Sequence, residues 1–309
     1  MLINYILRII CIFIYRSLQH TFGATVINDT ITLIEDTEYA GFSGSGTINA
    51  GSYTLTINNT ASCSFSGSVN SSGQIVKEGI ESQTICSTSS ITGNVIVKNG
   101  MLVMPAFSGG IANVLKVEGG TYVLNGNQSF YNVDGNGDVV VNNTLTIDSA
   151  VSGSMYFYNV RFSGNGSLVF SGTPENFRGV CLNNVLSQIG QLSTNNTALI
   201  IGKTNTSSIQ CTTLNVGSSN SGDALVIGLD LHGNGVMTCT NMYSYGWIQV
   251  GANGGVGQLN CTGTLTQTGN MIEIGAANYN AAGKGTVTAG NVVATGCGIY
   301  VGTNEEATG

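Results

Sequence analysis

The best-spaced residues for chemistry form one short run, Asp134-Gly-Asn136-Gly-Asp138. Three oxygen-bearing side chains alternate with glycines that let the backbone turn, and such a run could wrap a hard cation such as calcium. No second copy follows, and no glutamate stands at the twelfth position of a calcium loop. We therefore expect a turn between two strands. A calcium site at Asp134, Asn136 and Asp138 is the alternative, and no other cofactor is indicated.

Two aromatic clusters are the only indication of an organic ligand. Exposed tyrosine and tryptophan side chains can stack on sugar rings, because they combine an apolar face with a polar group at the edge. The alternative is that these aromatic rings stack inside the fold or lie under a loop. The candidate carbohydrate contacts are Tyr156, Tyr158, Tyr243, Tyr245 and Trp247.

Groups that could catalyse the cleavage of a polysaccharide are sparse. Such a site needs carboxylates gathered on one face, with a cation or a basic side chain beside them. Closely spaced acidic residues occur only in small groups, around Glu35, Asp134 and Glu305. The only histidine after residue 24, His232, lies beside a Gly-Asn-Gly sequence and is expected in a turn. The sequence therefore predicts a protein without catalytic activity.

The composition is typical of an extended extracellular β-structure. Of 309 residues 44 are glycine, and charged residues make up 8% of the chain, against about 25% in an average soluble protein. A hydrophobic content of 42% argues against intrinsic disorder. A net charge of −7 with only nine Lys and Arg residues argues against a nucleic acid partner, because phosphates need basic side chains to neutralise them.

Residues 1–24 differ from the rest of the chain. They are rich in large aliphatic side chains and contain two arginines, and the first acidic residue is Asp29. This pattern predicts a signal peptide or export leader that is cleaved between Ala24 and Thr25; an amphipathic cap on the domain is the alternative. No later segment has the roughly 18 apolar residues that a membrane span needs.

Residues 25–309 predict an all-β fold. Short runs in which apolar and polar residues alternate, such as Thr144-Leu-Thr-Ile147, are separated by Gly, Asn and Ser, as expected for strands with one buried face. Repeats are loose in residues 25–198 and clearer in 199–309, where an Ile-x-Val-Gly motif recurs. A period of about 20–27 residues predicts the coils of a β-solenoid, in which each strand pairs with its equivalents above and below. The three clear copies are Trp247-Ile-Gln-Val-Gly251, Met271-Ile-Glu-Ile-Gly275 and Gly298-Ile-Tyr-Val-Gly302.

These copies predict which residues share a column of the core. Val250, Ile274 and Val301 should form one inward column, with Ile248, Ile272 and Ile299 in a parallel one. The terminal glycines should take the corner positions at positive φ.

Cysteines are expected to act as small hydrophobic residues. Cys211, Cys239 and Cys261 each follow an apolar residue by two positions, which predicts an inward column of reduced thiols. The eight cysteines form no C-x-x-C pair, and seven would remain after loss of the leader. We therefore expect buried thiols and no complete disulfide framework.

The repeats resemble those of bacterial surface and autotransporter-like passenger proteins. Residues 73–103 are similar to the autotransporter-associated β-strand repeat, although Ile80-Glu-Ser-Gln-Thr-Ile85 replaces its usual Gly-x-Leu-x-Leu. The resemblance covers about half of the chain. It implies a single-stranded right-handed parallel β-helix, secreted or at the cell surface, and associated with the outer membrane if a translocator follows. The matching positions are Gly73, Lys77, Gly79, Gly93, Val97, Gly100 and Leu102.

The sequence as a whole predicts an exported passenger or stalk with an adhesive or structural display role. Its expected partners are glycans or proteins of a host surface or matrix, and lateral self-association is a further expectation. The alternative is a β-helical polysaccharide-active enzyme, either a pectate-lyase-like lyase or a glycoside hydrolase. Such an enzyme would gather three or more charged side chains on neighbouring coils.

Overall fold

The chain folds into stacked β-strands. The computed structural model describes residues 23–149, 153–172, 177–183, 185–195, 198–217, 223–276 and 283–302. This part of the chain contains no helix, and its strands pair in parallel. The predicted all-β class is confirmed, and stacked parallel strands are consistent with a β-solenoid. The chain divides into two compact units, of which the first ends at Gly126 and the second begins at Asn127.

The first unit contains strands of two to six residues in three main stacks. One stack runs β2-β5-β8-β11, a second β3-β6-β9-β12-β14 and a third β7-β10-β13-β15, while β1 pairs with β4. The strands are β1 (Thr25–Val26), β2 (Thr30–Thr32), β3 (Thr37–Tyr39), β4 (Phe42–Ser43), β5 (Thr47–Gly51), β6 (Thr54–Ile57), β7 (Cys63–Phe65), β8 (Ser68–Ser71), β9 (Gln74–Lys77), β10 (Ser82–Ile85), β11 (Ser90–Ile91), β12 (Asn94–Val97), β13 (Met101–Met104), β14 (Ala112–Val117) and β15 (Thr121–Leu124).

In-register columns of apolar side chains form the core of this unit. Leu55, Ile75, Val95 and Leu115 are paired in that order, each 20 residues after the one before. All four are fully buried, because parallel pairing puts equivalent side chains on the same side of the sheet. The alternation seen in the sequence therefore becomes a continuous inward column.

Close stacking requires glycine where two backbones approach. A Cβ atom on Gly93 would lie 1.7 Å from the carbonyl oxygen of Gly73, the corresponding glycine of the previous repeat. The next residue, Asn94, donates its backbone N–H to that same carbonyl oxygen at 3.0 Å. Gly93 is therefore required by the space between neighbouring strands.

The second unit has longer strands. β16 pairs with β18, which pairs with β21, while β17 pairs with β20. Both β20 and β21 pair with β23, which starts the stack β23-β25-β27-β29-β31. A separate sheet runs β19-β22-β24-β26-β28-β30-β32. The strands are β16 (Gln128–Gly135), β17 (Asp138–Val141), β18 (Thr144–Ser149), β19 (Gly153–Tyr158), β20 (Arg161–Ser163), β21 (Ser167–Gly172), β22 (Phe177–Asn183), β23 (Leu186–Asn195), β24 (Leu199–Ile201), β25 (Thr206–Gly217), β26 (Asp223–Ile227), β27 (Asn234–Tyr245), β28 (Trp247–Ala252), β29 (Val256–Thr268), β30 (Ile272–Ala276), β31 (Lys284–Thr295) and β32 (Ile299–Val301).

The predicted pairing register of the repeats is confirmed, but the prediction that Val301 and Ile299 point inward is wrong. Val250 pairs with Ile274, which pairs with Val301, and Ile248, Ile272 and Ile299 form the parallel row. Val250 and Ile248 are fully buried, whereas Val301 and Ile299 on β32 are more than half exposed.

The repeats differ from expectation in strand length. Strands of 12 and 13 residues, β25, β27, β29 and β31, take the place of short ones. The register of these long strands shifts between Cys239 and Met242 and between Cys261 and Thr264, so each pairing has two in-register segments. The glycines that end the repeats, Gly251, Gly275 and Gly302, have φ of 70°, 71° and 64° as expected for corners.

Two glycine substitutions test the stacking. Gly93→Ala should destabilise the protein by about 1–3 kcal/mol, because the added methyl group must push two backbones apart. Gly217→Ala is the control: its Cβ would meet nothing nearer than 3.7 Å, and the expected change is within about 0.5 kcal/mol. Thermal or urea unfolding of both variants measures the difference. Equal stability of the two would contradict the close stacking at Gly93.

Candidate functional site

The predicted cysteine column is present. Cys211, Cys239 and Cys261 are paired in register, followed by Ala289. All three thiols are buried and free, and the Cys261 Sγ donates to the carbonyl oxygen of Thr240 at 3.4 Å. Burial raises the pKa of Cys211 to about 12. Burial, together with the neighbouring Cys261 and Cys211 thiols, also raises the pKa of Cys239. All three side chains are part of the core, and the raised pKa values of Cys211 and Cys239 make these two thiols poor nucleophiles.

The expectation that cysteines are buried is wrong for Cys86. Its side chain is exposed, while Cys63 and Cys297 are half-buried, and all three are free. Cys86 directly follows Ile85, which is 1% exposed, so alternation along the strand directs the next side chain outward. Cys11 lies outside the described residues.

Lys77 is a charged residue inside an apolar column. It pairs with Ile57 on one side and Val97 on the other, and it is fully buried. Its Nζ donates to the carbonyl oxygen of Gly79. Burial, partly offset by the charge of Glu81, lowers the pKa of Lys77 to about 8. Without exposed surface the amine cannot reach a substrate, so its role is structural.

The run predicted as a turn or calcium site forms a turn. Asp134 is near the end of β16, Asn136 lies in the turn and Asp138 begins β17. Both carboxylate oxygens of Asp138 accept hydrogen bonds from Arg161, from Nε at 2.5 Å and from Nη2 at 2.7 Å. A cation would have to displace this guanidinium, and calcium at this turn stays a prediction.

Three further titratable residues, Asp36, Glu38 and His232, contact a neighbouring strand or lie in a turn. Asp36 Oδ1 accepts from the Thr54 N–H at 2.8 Å, and Glu38 Oε1 accepts from the Asn58 amide at 2.9 Å. His232 is an exposed turn residue with φ of 80°, as expected. Within the described residues no group of three or more His, Cys, Asp or Glu side chains is placed to hold a metal ion.

The aromatic candidates lie on two different sheets. Tyr156 and Tyr158 are on β19, and their side chains lie outside the described part of the structure. Trp247 begins β28 of the same sheet; it is half-buried, and its indole Nε1 is buried without a hydrogen-bond partner. Tyr243 and Tyr245 lie on β27 of the other sheet. The predicted set is therefore not a single site.

Tyr243 and Tyr245 border a groove of about 390 Å³ on the outer face of the long strands. They are 52% and 54% exposed, whereas the intervening Ser244 side chain is buried, so both rings stand on the same outward face. In register with them, Asn215 and Gly217 lie on β25, and Thr266 and Thr268 lie on β29. The groove was not evident from the sequence, because Gly217 and Tyr245 become neighbours only through the pairing of β25 with β27.

The groove is uncharged but has polar edges. None of its lining residues is charged. The Asn215 amide donates to Ser193 Oγ at 3.4 Å, and the Thr268 hydroxyl donates to the Ser244 carbonyl at 3.4 Å. Within the described residues the phenol groups of Tyr243 and Tyr245 make no hydrogen bond. The site can therefore offer two aromatic faces and several hydroxyl groups to a neutral ligand.

Comparison with known protein families, with curated proteins and with solved structures gives no match. The described part of the chain also contains no helix with the length and apolar character of a membrane span.

Thiol labelling tests the orientation of the cysteine strand. We expect an exposed Cys86 to react rapidly and Cys211 to react roughly a thousandfold more slowly at pH 8, because its raised pKa leaves few thiolates and its burial blocks access. Mass spectrometry of labelled peptides identifies each site, and Cys86→Ser, which should lack the fast reaction, is the control. Rapid labelling of Cys211 or Cys239 without denaturant would contradict the inward column.

The buried amine of Lys77 predicts a dependence of stability on pH. Its pKa is lower in the folded chain than in the unfolded chain (about 10.4), so the unfolded state binds more protons between about pH 8 and 10 and the stability contributed by this residue rises with pH there. The free energy of unfolding of Lys77→Met should therefore exceed that of the wild type by up to about 3 kcal/mol at pH 7. This difference should shrink towards pH 10. Denaturant unfolding at each pH measures it.

The exposed Lys98, which pairs with Glu78 at 2.6 Å, supplies the control. Lys98→Met should change stability by no more than about 1 kcal/mol at pH 7. A gain for Lys77→Met that is constant from pH 7 to 10 would show that the Lys77 ammonium is not desolvated.

Proposed function

We propose that this chain is the exported β-helical shaft or passenger of a surface protein, with an adhesive or structural display role and no catalysis. The observation that carries the proposal is the outer surface of the stacked strands. It presents neutral polar side chains and exposed tyrosines such as Tyr243 and Tyr245, and the carboxylates Asp36, Glu38 and Asp138 are engaged in contacts within the stack. A thinly charged surface of this kind suits contact with extended partners.

The same proposal includes the finer architecture. We infer a single-stranded right-handed parallel β-helix, since crossover connections between parallel strands of one sheet are right-handed in about 98% of cases. The in-register partners Leu55, Ile75 and Val95 support coils of 20 residues in the first unit. The partners Cys211, Cys239 and Cys261 support coils of 28 and 22 residues in the second. The resemblance to autotransporter-associated repeats is part of this proposal.

Export can be tested with the full chain in a bacterial host. We expect the protein outside the cytoplasm with Thr25 at its N-terminus, because residues 1–24 have the composition of a secretory leader. Cell fractionation and N-terminal sequencing measure this, and deletion of residues 2–24 is the control that should keep the protein in the cytosol. Full-length cytosolic material beginning at Met1 would contradict the proposal.

The polysaccharide-active enzyme is distinguished by its products. Incubation of the purified chain with pectin-like and neutral polysaccharides should give no new reducing ends and no absorbance from unsaturated ends. If products form, and if their formation is lost when an acidic residue of the chain is substituted, the proposal of a protein without catalysis is contradicted and the enzyme alternative is supported.

A further inference from the structure

The groove on the outer face of β25, β27 and β29 is lined by two tyrosines, Tyr243 and Tyr245. Tyr243 and Tyr245 are two residues apart on one strand, so their Cα atoms are separated by roughly 6.5–7 Å. A tyrosine on a sheet surface can bury its ring against a neighbouring side chain. Tyr243 and Tyr245 do not do so fully, because each residue is about half exposed. Here the neighbours in register are Asn215, Gly217, Thr266 and Thr268, none of which has a large apolar side chain, and aromatic surface stays open to a ligand.

Gly217 contributes to the open space of the groove. It lies beside Tyr245 in register, and with no side chain it leaves room at the foot of that ring. On the other side the Tyr245 ring leans toward Gly269, where a Cβ would lie 3.3 Å from ring atom Cε2. The resulting volume of about 390 Å³ lies at the lower end of the roughly 300–1,000 Å³ of small-molecule sites. This size suits one or two rings of a ligand.

The polar groups around the groove restrict the ligand further. The residues that line the groove carry the hydroxyl groups of Tyr243, Tyr245, Thr266 and Thr268 and the amide of Asn215, and no lining side chain is charged. An anionic ligand would leave its charge desolvated without a cationic partner. A ring with one apolar face and a rim of hydroxyl groups matches both features of the site.

We propose that this groove binds one uncharged sugar residue of a glycan, stacked on Tyr245 and Tyr243 and hydrogen-bonded at its rim. The inference rests on the proposed adhesive role and names the ligand class of that role. Gly217 sets the specificity, because any larger residue at this position occupies the place of the sugar.

The full chain should be titrated with methyl glycosides of glucose, galactose, mannose and N-acetylglucosamine, observed by saturation-transfer NMR, with galacturonic acid as the charged comparison. We expect at least one neutral sugar to bind with millimolar affinity and the acid to bind more weakly. Tyr245→Ala should weaken binding by about tenfold through loss of stacking. Gly217→Val should abolish binding, although its extended backbone and the 3.7 Å clearance of its Cβ allow it to fold.

Tyr131→Ala is the matched control, because Tyr131 is an exposed tyrosine that does not line the groove; it should bind like the wild type. If Gly217→Val and Tyr245→Ala melt at the same temperature as the wild type, their loss of binding comes from the groove and not from unfolding. Binding of no neutral sugar, or equal binding by Gly217→Val and the wild type, overturns the inference. If the exported chain still adheres to glycan-coated or cell surfaces in that case, the adhesive role stands and only the groove is excluded; if it remains cytosolic, the proposed function fails independently.

Discussion

Parallel pairing in register is the interaction on which each unit depends. Because strands of a sheet lie about 4.7–4.9 Å apart, each inward side chain must pack against its equivalent on the next strand, and each corner must clear the corner below it. The first requirement explains columns such as Leu55, Ile75, Val95 and Leu115. The second explains why Gly93 has no room for a Cβ. Apolar burial and backbone hydrogen bonds are thus supplied by the same repeat.

This constraint decides what could be predicted from the sequence. Alternation identifies the buried face of a strand, and recurrence identifies its partners, so the rows of Val250 and Ile248 and the column of Cys239 were predictable. Each of those motifs recurs with nearly the same residues. Strand length was not predictable, because the Gly-rich segments that resemble turns lie within or beside long strands that change register at Cys239 and Cys261.

The alternation and recurrence of residues also did not predict the buried polar side chains. Gln83 is fully buried, and its side-chain amide accepts from the Phe42 N–H at 3.1 Å and donates to the Phe42 carbonyl at 3.0 Å. It therefore supplies a strand-like pair of hydrogen bonds across 41 residues of sequence. Lys77 is likewise satisfied by a backbone carbonyl, that of Gly79. In both cases the partner is a backbone group, which carries no signal in the residue types.

The candidate site separates in the same way into a predictable and an unpredictable part. Alternation alone places Tyr243 and Tyr245 on one face, but the groove also needs Gly217 on one neighbouring strand and Thr266 on the other, positions defined by register. These outward residues lie opposite the apolar column of Leu214, Met242 and Leu265, all fully buried. Stability of the stack depends on that inward column, since it supplies the apolar burial. The outward positions can therefore change their chemistry at little cost to folding, which is why a stacked architecture can carry a ligand site on a face that its fold does not require.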